Sequence, residues 1–186
     1  MIEKNFFRGD ERIMRKVLIE TERLILTTVE ERDIEPLYKG CFSDWEVMKL
    51  LLSRIFSLEE CRAYIENAFS KGQLMGFTVA IDKKSEEVIG YAGMFPYPFN
   101  CKDNEYEFGY ILKQEAWKKG YATELSIGQI EALNKNFEDV SILATAHPKN
   151  VASKRVLKKV GMELIEASVM LENRGIRDIY KLLNKK

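Results

Sequence analysis

Large apolar side chains occupy every second position of residues 106–112, which read YEFGYIL. A period of two is typical of a β-strand, and it places Tyr110 and Leu112 on one face of the strand and Glu107 on the other. A short loop containing Lys118 and Gly120 follows, and residues 121–133 then carry apolar side chains at helical spacing. This pattern predicts a strand, a basic loop and a largely buried helix in succession.

The rest of the chain shows the same two periods. Apolar runs predict strands at residues 23–29, 75–82, 87–94, 141–146, 163–171 and 178–183. Helical spacing predicts helices at residues 32–40, 58–71 and 151–160. Ser57 and Glu60 form a capping-box pattern before the second of these helices, and Gly161 is placed to end the third in a left-handed cap. Pro36 is expected in the first turn of its helix, where a missing N–H is tolerated.

The order of these elements indicates the fold class. The strands come first as an antiparallel meander and later alternate with helices, which is typical of an α/β chain of the α+β type. We therefore expect a mixed, mostly antiparallel twisted sheet flanked by helices. The chain has 186 residues, of which 46% are hydrophobic, enough for one substantial core. We expect an N-terminal extension at residues 1–20 and a single domain at residues 21–186.

Charge and cysteine content narrow the function classes. Lys+Arg and Asp+Glu number 29 each, so no net charge attracts nucleic acid or an anionic membrane, and we expect neither as a partner. No apolar run approaches the roughly 20 residues that span a bilayer. Cys41, Cys61 and Cys101 form neither a metal pair nor a disulfide framework, which is typical of a cytoplasmic protein. With one histidine in the chain, we expect no metal site.

The basic loop before the helix is the first candidate site. A helix N-terminus presents backbone N–H groups without partners and a partial positive charge, so it is suited to a phosphate or diphosphate. Gly120 allows close approach to the backbone, and Lys118 and Lys119 add charge. The alternative is a solvated lysine pair before a core helix.

Carboxylates on the strand are the second candidate. Glu107 lies close before the loop and is suited to take a proton, directly or through water, from an ammonium nucleophile. The alternative is a carboxylate in water on a half-exposed strand, an interpretation that applies equally to Glu105. His147 is the only histidine, but a lone histidine at a strand end before a proline is more typical of a structural role.

The helix predicted at residues 151–160 holds the third candidate. Asn150 is the natural N-cap, and Ser153 projects with the apolar residues Val156 and Leu157. An inward hydroxyl needs a partner from the chain or from a ligand. Alternatively, Ser153 bonds within its own first turn and Asn150 is a cap only.

Five segments together resemble the GNAT superfamily, and specifically its RimJ/RimL-like branch: TERLIL (21–26), GYAGM (90–94), EFGYIL (107–112), WKKGYATE (117–124) and NVASKRVLKKVGM (150–162). The resemblance spans residues 21–183. It implies a sheet whose two central parallel strands splay apart, with acetyl-CoA in the gap between them. It also implies a diphosphate held by the loop before the long helix.

Carried over by position, the resemblance implies a set of cofactor-binding residues. The backbone of Tyr110, Ile111 and Leu112 would meet the pantetheine and acetyl groups, and the loop residues Lys118, Lys119, Gly120, Tyr121, Ala122 and Thr123 would cradle the pyrophosphate. Asn150 would bond the pantetheine arm, and Ser153 would face the thioester sulfur.

Two departures from the family pattern matter. Trp117 occupies the first position of the family's Q/R-x-x-G-x-G/A loop, and Lys118 stands where glycine is usual. The tyrosine that many members use as general acid maps to Leu157, which has no proton to donate. Ser153 is then the remaining candidate acid.

We therefore expect a cytoplasmic, acetyl-CoA-dependent N-acetyltransferase, a monomer or homodimer without a metal, that transfers acetyl directly to a primary amine. Glu107 is the expected base and Ser153 the expected acid, while strand backbone N–H groups stabilise the oxyanion. The acceptor is a protein N-terminus or a small-molecule amine. Aromatic residues are candidates for lining its pocket, namely Phe42, Trp45, Phe56, Phe95, Tyr97 and Phe99. The alternative function is a non-catalytic acyl-CoA-binding domain.

Overall fold

The computed structural model describes residues 15–97, 104–172 and 174–183. Within these ranges the strands are β1 (Val17–Glu20), β2 (Leu24–Thr27), β3 (Gly76–Asp82), β4 (Val88–Pro96), β5 (Glu105–Leu112), β6 (Ser141–Ala146), β7 (Met162–Leu171) and β8 (Gly175–Leu182). The α-helices are α1 (Glu31–Leu37), α2 (Trp45–Met48), α3 (Leu58–Ala68), α4 (Tyr121–Asn136) and α5 (Val151–Lys159).

In the described part of the chain, the strands form one eight-stranded sheet in the order β1-β2-β3-β4-β5-β6-β8-β7. Neighbouring strands are antiparallel except for β5 and β6, which are parallel. The mixed, mostly antiparallel sheet predicted from the sequence is confirmed.

The parallel pair separates partway along its length. β5 and β6 are in register only from Glu105 opposite Ser141 to Glu107 opposite Leu143. Beyond these pairs β5 continues to Leu112, and β6 turns its pairing to β8 alone. The space between residues 108–112 of β5 and residues 144–146 of β6 is called the strand gap below. It opens at the carboxyl ends of both strands, as the family resemblance implies.

The sheet separates two apolar layers. On one face α4 and α5 pack through Leu125 and Leu157 on Phe108 and Leu112 of β5. On the opposite face, residues of α1 and α3 and the turn between α1 and α2 pack with Ile111 of β5. These are called the α4 face and the α3 face. Because side chains alternate along β5, Tyr110 belongs to the α4 face, whereas Glu105, Glu107 and Gly109 belong to the α3 face.

Two local expectations are confirmed. Ser57 caps α3, accepting the Glu60 N–H, while the Glu60 carboxylate accepts the Ser57 N–H. Gly161 follows α5 with φ of 85°, the left-handed conformation expected of a helix cap. Among the described residues, no helix is long and apolar enough to cross a bilayer.

Three expectations differ from the structure. β1 pairs with β2, so the sheet begins inside residues 1–20, the range expected to be an extension. Pro36 lies beyond the first turn of α1, which starts at Glu31, and a π-helical turn at Tyr38–Phe42 follows directly. Ile127 is 45% exposed, although it is an apolar residue of the helix that was expected to be largely buried.

The buried side of α4 uses small and polar residues instead of a full apolar arc. A β-carbon on Gly128 would lie 2.8 Å from the Thr21 Cγ2 atom, so close packing of α4 against the first strands requires a glycine there.

Cys41 and Cys61 are buried free thiols, and burial raises the pKa of Cys61 to about 11. Cys101 and Phe99 lie outside the described residues.

Candidate active site

The strand gap and two helix N-termini meet at one end of the sheet. β5 runs into the loop before α4, and β6 runs into the loop before α5, so both helices begin at the open end of the gap. In sheets of this kind, ligands bind in the crevice outside the carboxyl ends of the parallel strands. In the described part of the chain, the gap-side backbone of residues 108–112 has no strand partner.

The loop before α4 is shaped for close backbone approach. Lys118 and Gly120 have φ of 61° and 84°, both in the left-handed region. Gly120 is the N-cap of α4, and no side chain caps the helix. The first backbone N–H groups of the helix, at residues 121–123, therefore have no acceptor within the helix and no capping side chain. With Lys118 and Lys119 exposed beside them, they suit the diphosphate of a nucleotide cofactor.

Arg23 holds this loop from the sheet side. Its guanidinium donates to the Lys119 carbonyl at 3.0 Å and to the Glu124 carboxylate at 2.7 Å, and lies 4.7 Å from the centre of the Tyr121 ring. Burial alone would raise the pKa of Glu124, but hydrogen bonds from Thr21 and Arg23 outweigh it and lower the pKa. Arg23 was not expected at the site from its local pattern, although its position in the TERLIL segment was a signal.

Tyr121 contributes its backbone N–H group to the loop site, because its side chain is bonded elsewhere. The phenol donates to the Asp82 carboxylate, and this hydrogen bond lowers the pKa of Asp82 and raises that of Tyr121. Ala122 and Thr123 are half-buried in the first turn of α4.

Asn150 caps α5 as expected from its position. Its Oδ1 atom accepts the Ser153 N–H at 3.0 Å. This hydrogen bond supports the capping role that the sequence left open for Asn150. Its amide nitrogen is a further donor at the start of the helix, of a kind that a ligand carbonyl can accept from.

The Ser153 hydroxyl meets a phenol across the sheet–helix interface. Ser153 Oγ and Tyr110 Oη lie 3.2 Å apart, joining α5 to β5 beside the strand gap. Burial raises the pKa of Tyr110, and the hydrogen bond with Ser153 partly opposes that rise. Leu157, one turn further along α5, is buried in the core. Only a backbone role was expected for Tyr110, because no neighbour in the sequence marks its phenol as a functional group.

Glu107 lies on the opposite, α3 face of the sheet. Its side chain is 9% exposed, and both oxygens are hydrogen-bonded: one accepts from Thr145 at 2.7 Å and the other from Arg174 at 2.6 Å. The carboxylate is therefore oriented by two neighbours, although each oxygen keeps a second lone pair. The interpretation of Glu107 as a solvated surface carboxylate is not supported by this burial.

The other two candidate bases are placed less well. Glu105 lies at the closed, paired end of β5, with the Lys181 Nζ atom 3.9 Å away. The His147 Nδ1 atom accepts the Lys149 N–H at 3.1 Å, so a neutral ring carries its proton on Nε2. Burial, with the charges of Arg177 and Lys149, lowers the pKa of His147. The structural role expected for His147 fits this geometry.

Open space lies beside Glu107 on the α3 face. A β-carbon built on Gly109 would meet no atom of the described residues within 4 Å. Opposite it in β4 is Gly93, where a β-carbon would lie 2.6 Å from the Phe77 ring. Phe95, which pairs with Glu107, contacts Phe77 with ring centroids 4.7 Å apart.

The remaining candidate pocket aromatics divide by position. Phe42 and Phe56 belong to the buried core of the α3 face, whereas Trp45 is 52% exposed on α2. Tyr97 is buried with Leu143 and Ile179 beside the Glu107 strand pair. Phe95 and Tyr97 are thus the expected pocket aromatics that lie next to Glu107.

Comparisons with known proteins agree with this geometry. The family model described as "Acetyltransferase (GNAT) domain" matches residues 23–163. The uncharacterized N-acetyltransferase YnaD of Bacillus subtilis is 30% identical over 144 residues, covering 77% of this chain and 81% of YnaD. A GNAT-family acetyltransferase from Bacillus anthracis superposes with a TM-score of 0.76 at 25% identity, over 91% of this chain and 98% of that one.

A structure of RimL, a ribosomal L7/L12 α-N-protein acetyltransferase in complex with coenzyme A, shares the fold. Its TM-score is 0.68 at 15% identity, over 89% of this chain and 97% of RimL. The family match covers most of the chain, and the curated relative supports it independently. The chain therefore belongs to the GNAT acetyltransferase family and is an N-acetyltransferase.

Proposed function

We propose that this chain uses acetyl-CoA to acetylate a primary amine by direct transfer, with no acyl-enzyme intermediate. The strand gap carries this proposal: β5 and β6 separate after Glu107, and two helix N-termini lie at the open end. An acyl chain in such a gap is reached by an acceptor from the α3 face, so the amine can attack the thioester carbonyl without a protein nucleophile.

The residues at the gap fit acetyl-CoA. We assign the diphosphate to Lys118, Lys119, Gly120 and the N–H groups of Tyr121, Ala122 and Thr123. The uncapped start of α4 supports this, because anions are favoured there. The pantetheine arm is assigned to the unpaired backbone of Tyr110, Ile111 and Leu112 and to Asn150. Strand N–H groups at that edge are also suited to stabilise the oxyanion.

Glu107 is the proposed proton acceptor. It lies on the face of the sheet from which the amine would approach, beside the open space at Gly109. Because Thr145 and Arg174 each occupy one lone pair, the amine's proton reaches a remaining lone pair directly or through a water molecule.

Ser153 is the proposed proton donor to the leaving thiolate, and the Tyr110 hydroxyl is hydrogen-bonded to it. The two hydroxyls are 3.2 Å apart on the α4 face, the face expected to carry the cofactor. This pair supplies an O–H group near the position where Leu157 replaces the family's usual tyrosine. Since a thiol has an ordinary pKa of about 8.5, the thiolate needs only modest help to leave.

The finer assignments rest on sequence. The RimJ/RimL-like branch is inferred from the five quoted segments, and a protein N-terminus or a small-molecule amine is the proposed acceptor. We infer a cytoplasmic enzyme from the odd number and wide spacing of its three cysteines, and a monomer or homodimer. A non-catalytic acyl-CoA-binding domain would retain the loop and Asn150, but it would not need a buried carboxylate such as Glu107 oriented beside open space.

The test is turnover of acetyl-CoA with a panel of primary amines, following free thiol release and confirming the acetylated amine by mass spectrometry. The panel contains amino acids, polyamines and peptides with free N-termini. We expect amine-dependent thiol release with at least one class. Tight binding of acetyl-CoA without transfer to any amine would favour the non-catalytic alternative.

A further inference from the structure

A buried guanidinium lies at the open end of the gap, on the α3 face. Arg177 is 5% exposed on β8, two residues before Ile179. Ile179 pairs with Thr145 of β6, and Thr145 donates to Glu107. Since alternate residues share a face, Arg177 lies on the Glu107 side of the sheet, one step further toward the open end.

Among the described residues, none supplies a carboxylate that pairs with the positive charge of Arg177. Its guanidinium donates to the carbonyls of Ile176, at 2.8 Å, and Leu51, and no ion pair joins it to an acidic residue in the described part of the chain. Burial lowers the pKa of Arg177, and the nearby charge of Arg174 lowers it further, while Glu107 opposes the shift. Glu107 is already bonded to Arg174. Glu107 is therefore the paired carboxylate of Arg174 and not of Arg177.

Other acidic residues nearby are directed elsewhere. Asp178 belongs to the opposite face, where it pairs with Lys154 at 2.8 Å and accepts the Ser168 N–H. Glu105 lies at the closed end beside Lys181. Glu166 of β7 pairs with Ile179 of β8, but the Glu166 side chain is exposed to solvent. A buried, uncompensated cation is costly, and an anion supplied by a ligand would offset that cost.

We propose that Arg177, together with Arg174, binds an anionic group of the acceptor, so that the preferred acceptor is an amine with a carboxylate close to it. This inference rests on the proposed acetyl transfer. Two sources share this chemistry: a free α-amino acid, and a peptide N-terminus with an acidic residue at its second position. Arginine is suited to this task because its planar fork matches a carboxylate with two parallel hydrogen bonds.

Matched pairs of acceptors test the proposal with the unmodified enzyme. Alanine is compared with alaninamide, and the peptide amide Ala-Asp-Ala with Ala-Asn-Ala. The acid-bearing member of at least one pair should have a kcat/KM higher by about 10- to 100-fold, the range of a charge-assisted hydrogen bond. The pair that shows the difference identifies the source. Equal or better turnover of both neutral members would overturn the proposal while leaving acetyl transfer itself established.

Variants separate binding from structure. Arg177→Gln keeps an N–H donor for the Leu51 carbonyl but removes the charge, so it should abolish the preference for the acid-bearing acceptor. A purely structural arginine would instead lower turnover of both members equally. Arg177→Lys keeps the charge and should keep part of the preference. Arg62→Gln is the matched control, because Arg62 lies on α3, exposed and paired with Glu31.

Product binding keeps the proposal testable if no amine is turned over or if Arg177→Gln does not fold. Titration calorimetry then compares N-acetylalanine with N-acetylalaninamide, and the acetylated Asp peptide with its Asn partner, on the unmodified protein. We expect tighter binding of a carboxylate-bearing compound by about tenfold or more. Equal affinities within both pairs would contradict the anion site, whatever the outcome for catalysis.

Discussion

The guanidinium of Arg23 and the carboxylate of Glu124, 101 residues apart in the chain, are joined at 2.7 Å. The Arg23 backbone N–H donates to the same carboxylate, and Thr21 donates to it as well. Glu124 lies in the first turn of α4, directly after the basic loop. The start of β2 therefore fixes the position of the loop that we assign to the diphosphate.

Replacing Arg23 should weaken acetyl-CoA binding even though Arg23 is assigned no direct contact with the cofactor. Arg23→Ala removes the hydrogen bonds to Lys119 and Glu124, so the loop loses its anchor. We expect the Kd for acetyl-CoA, measured by calorimetry, to rise roughly threefold to tenfold, the scale of one or two hydrogen bonds. Arg62→Ala removes an exposed ion pair elsewhere and is the control. Identical affinities of both variants would show that the loop is positioned without Arg23.

Gly120 and Gly161 form a matched pair for testing the loop. Their φ angles are 84° and 85°, so alanine introduces the same backbone strain at both, about 1–2 kcal/mol. Only Gly120 lies where the diphosphate is assigned, since Gly161 ends α5. Gly120→Ala should weaken acetyl-CoA binding, whereas Gly161→Ala should lower the melting temperature and leave affinity unchanged. Equal affinity losses in the two variants would remove the loop assignment.

Ser153 and Tyr110 are tested together because their hydroxyls are hydrogen-bonded. If Ser153 donates to the leaving sulfur, Ser153→Ala should slow the single-turnover chemical step with little change in acetyl-CoA affinity. Tyr110→Phe should slow it less, because Ser153 remains. Ser126→Ala is the control, since the Ser126 hydroxyl bonds the Ala122 carbonyl within α4. A lower melting temperature with an unchanged rate in Ser153→Ala would assign the serine a structural role only.

Local patterns predicted much of the fold. The period of two located β5, the capping residues Ser57 and Gly161 marked helix ends, and the order of elements indicated the mixed sheet. These signals are short-range, so one sequence window contains them. Pro36 was misplaced because the capping box of Glu30 and Asp33 starts α1 earlier than the apolar spacing indicated. β1 was missed because it has four residues, of which only Ile19 is buried, and Ile19 packs near Gly128 of α4, far along the chain.

The candidate site was only partly predictable, because a sequence window contains local signals but no long-range contacts. Gly120, Asn150 and Ser153 follow from helix-start chemistry, which is local. Arg174 reaches Glu107 across 67 residues, and Arg177 reaches the Leu51 carbonyl across 126. Neither contact leaves a mark in the local pattern, because a charged residue near a hairpin turn is typical of any solvated loop. Only the assembled sheet shows that Arg174 bonds Glu107 and that Arg177 is buried on the same face of the sheet.

The chain's single histidine gives a clean pH prediction. The pKa of His147 is lowered below its ordinary value of 6.5, so the unfolded chain takes up a proton at a higher pH than the folded chain. The free energy of unfolding should therefore fall as the pH drops from about 7.5 to about 5.5, before most carboxylates titrate. Urea unfolding across this range measures the slope. His147→Asn keeps an acceptor for the Lys149 N–H and should flatten it; an unchanged slope would exclude His147 as its source.

Glu107→Gln tests the proposed proton acceptor most directly. Glutamine keeps the shape of the side chain and an oxygen for one hydrogen bond, but it cannot take a proton from the amine. Turnover should fall by roughly 10²-fold or more, the usual scale for general base catalysis, with acetyl-CoA affinity nearly intact. Glu105→Gln is the matched control on the same strand face, because Glu105 lies at the closed end of the gap.

Stability has to be separated from chemistry in this variant, because Glu107→Gln also removes the ion pair with Arg174. Rates are therefore compared per folded molecule, at a temperature well below the melting transition of each variant, and as a function of pH. If Glu107 is the proton acceptor, the single-turnover rate should be lowered in Glu107→Gln and unchanged in Glu105→Gln. If Glu107→Gln keeps the rate of the unmodified enzyme, Glu107 is not the proton acceptor, and its role is to hold Arg174.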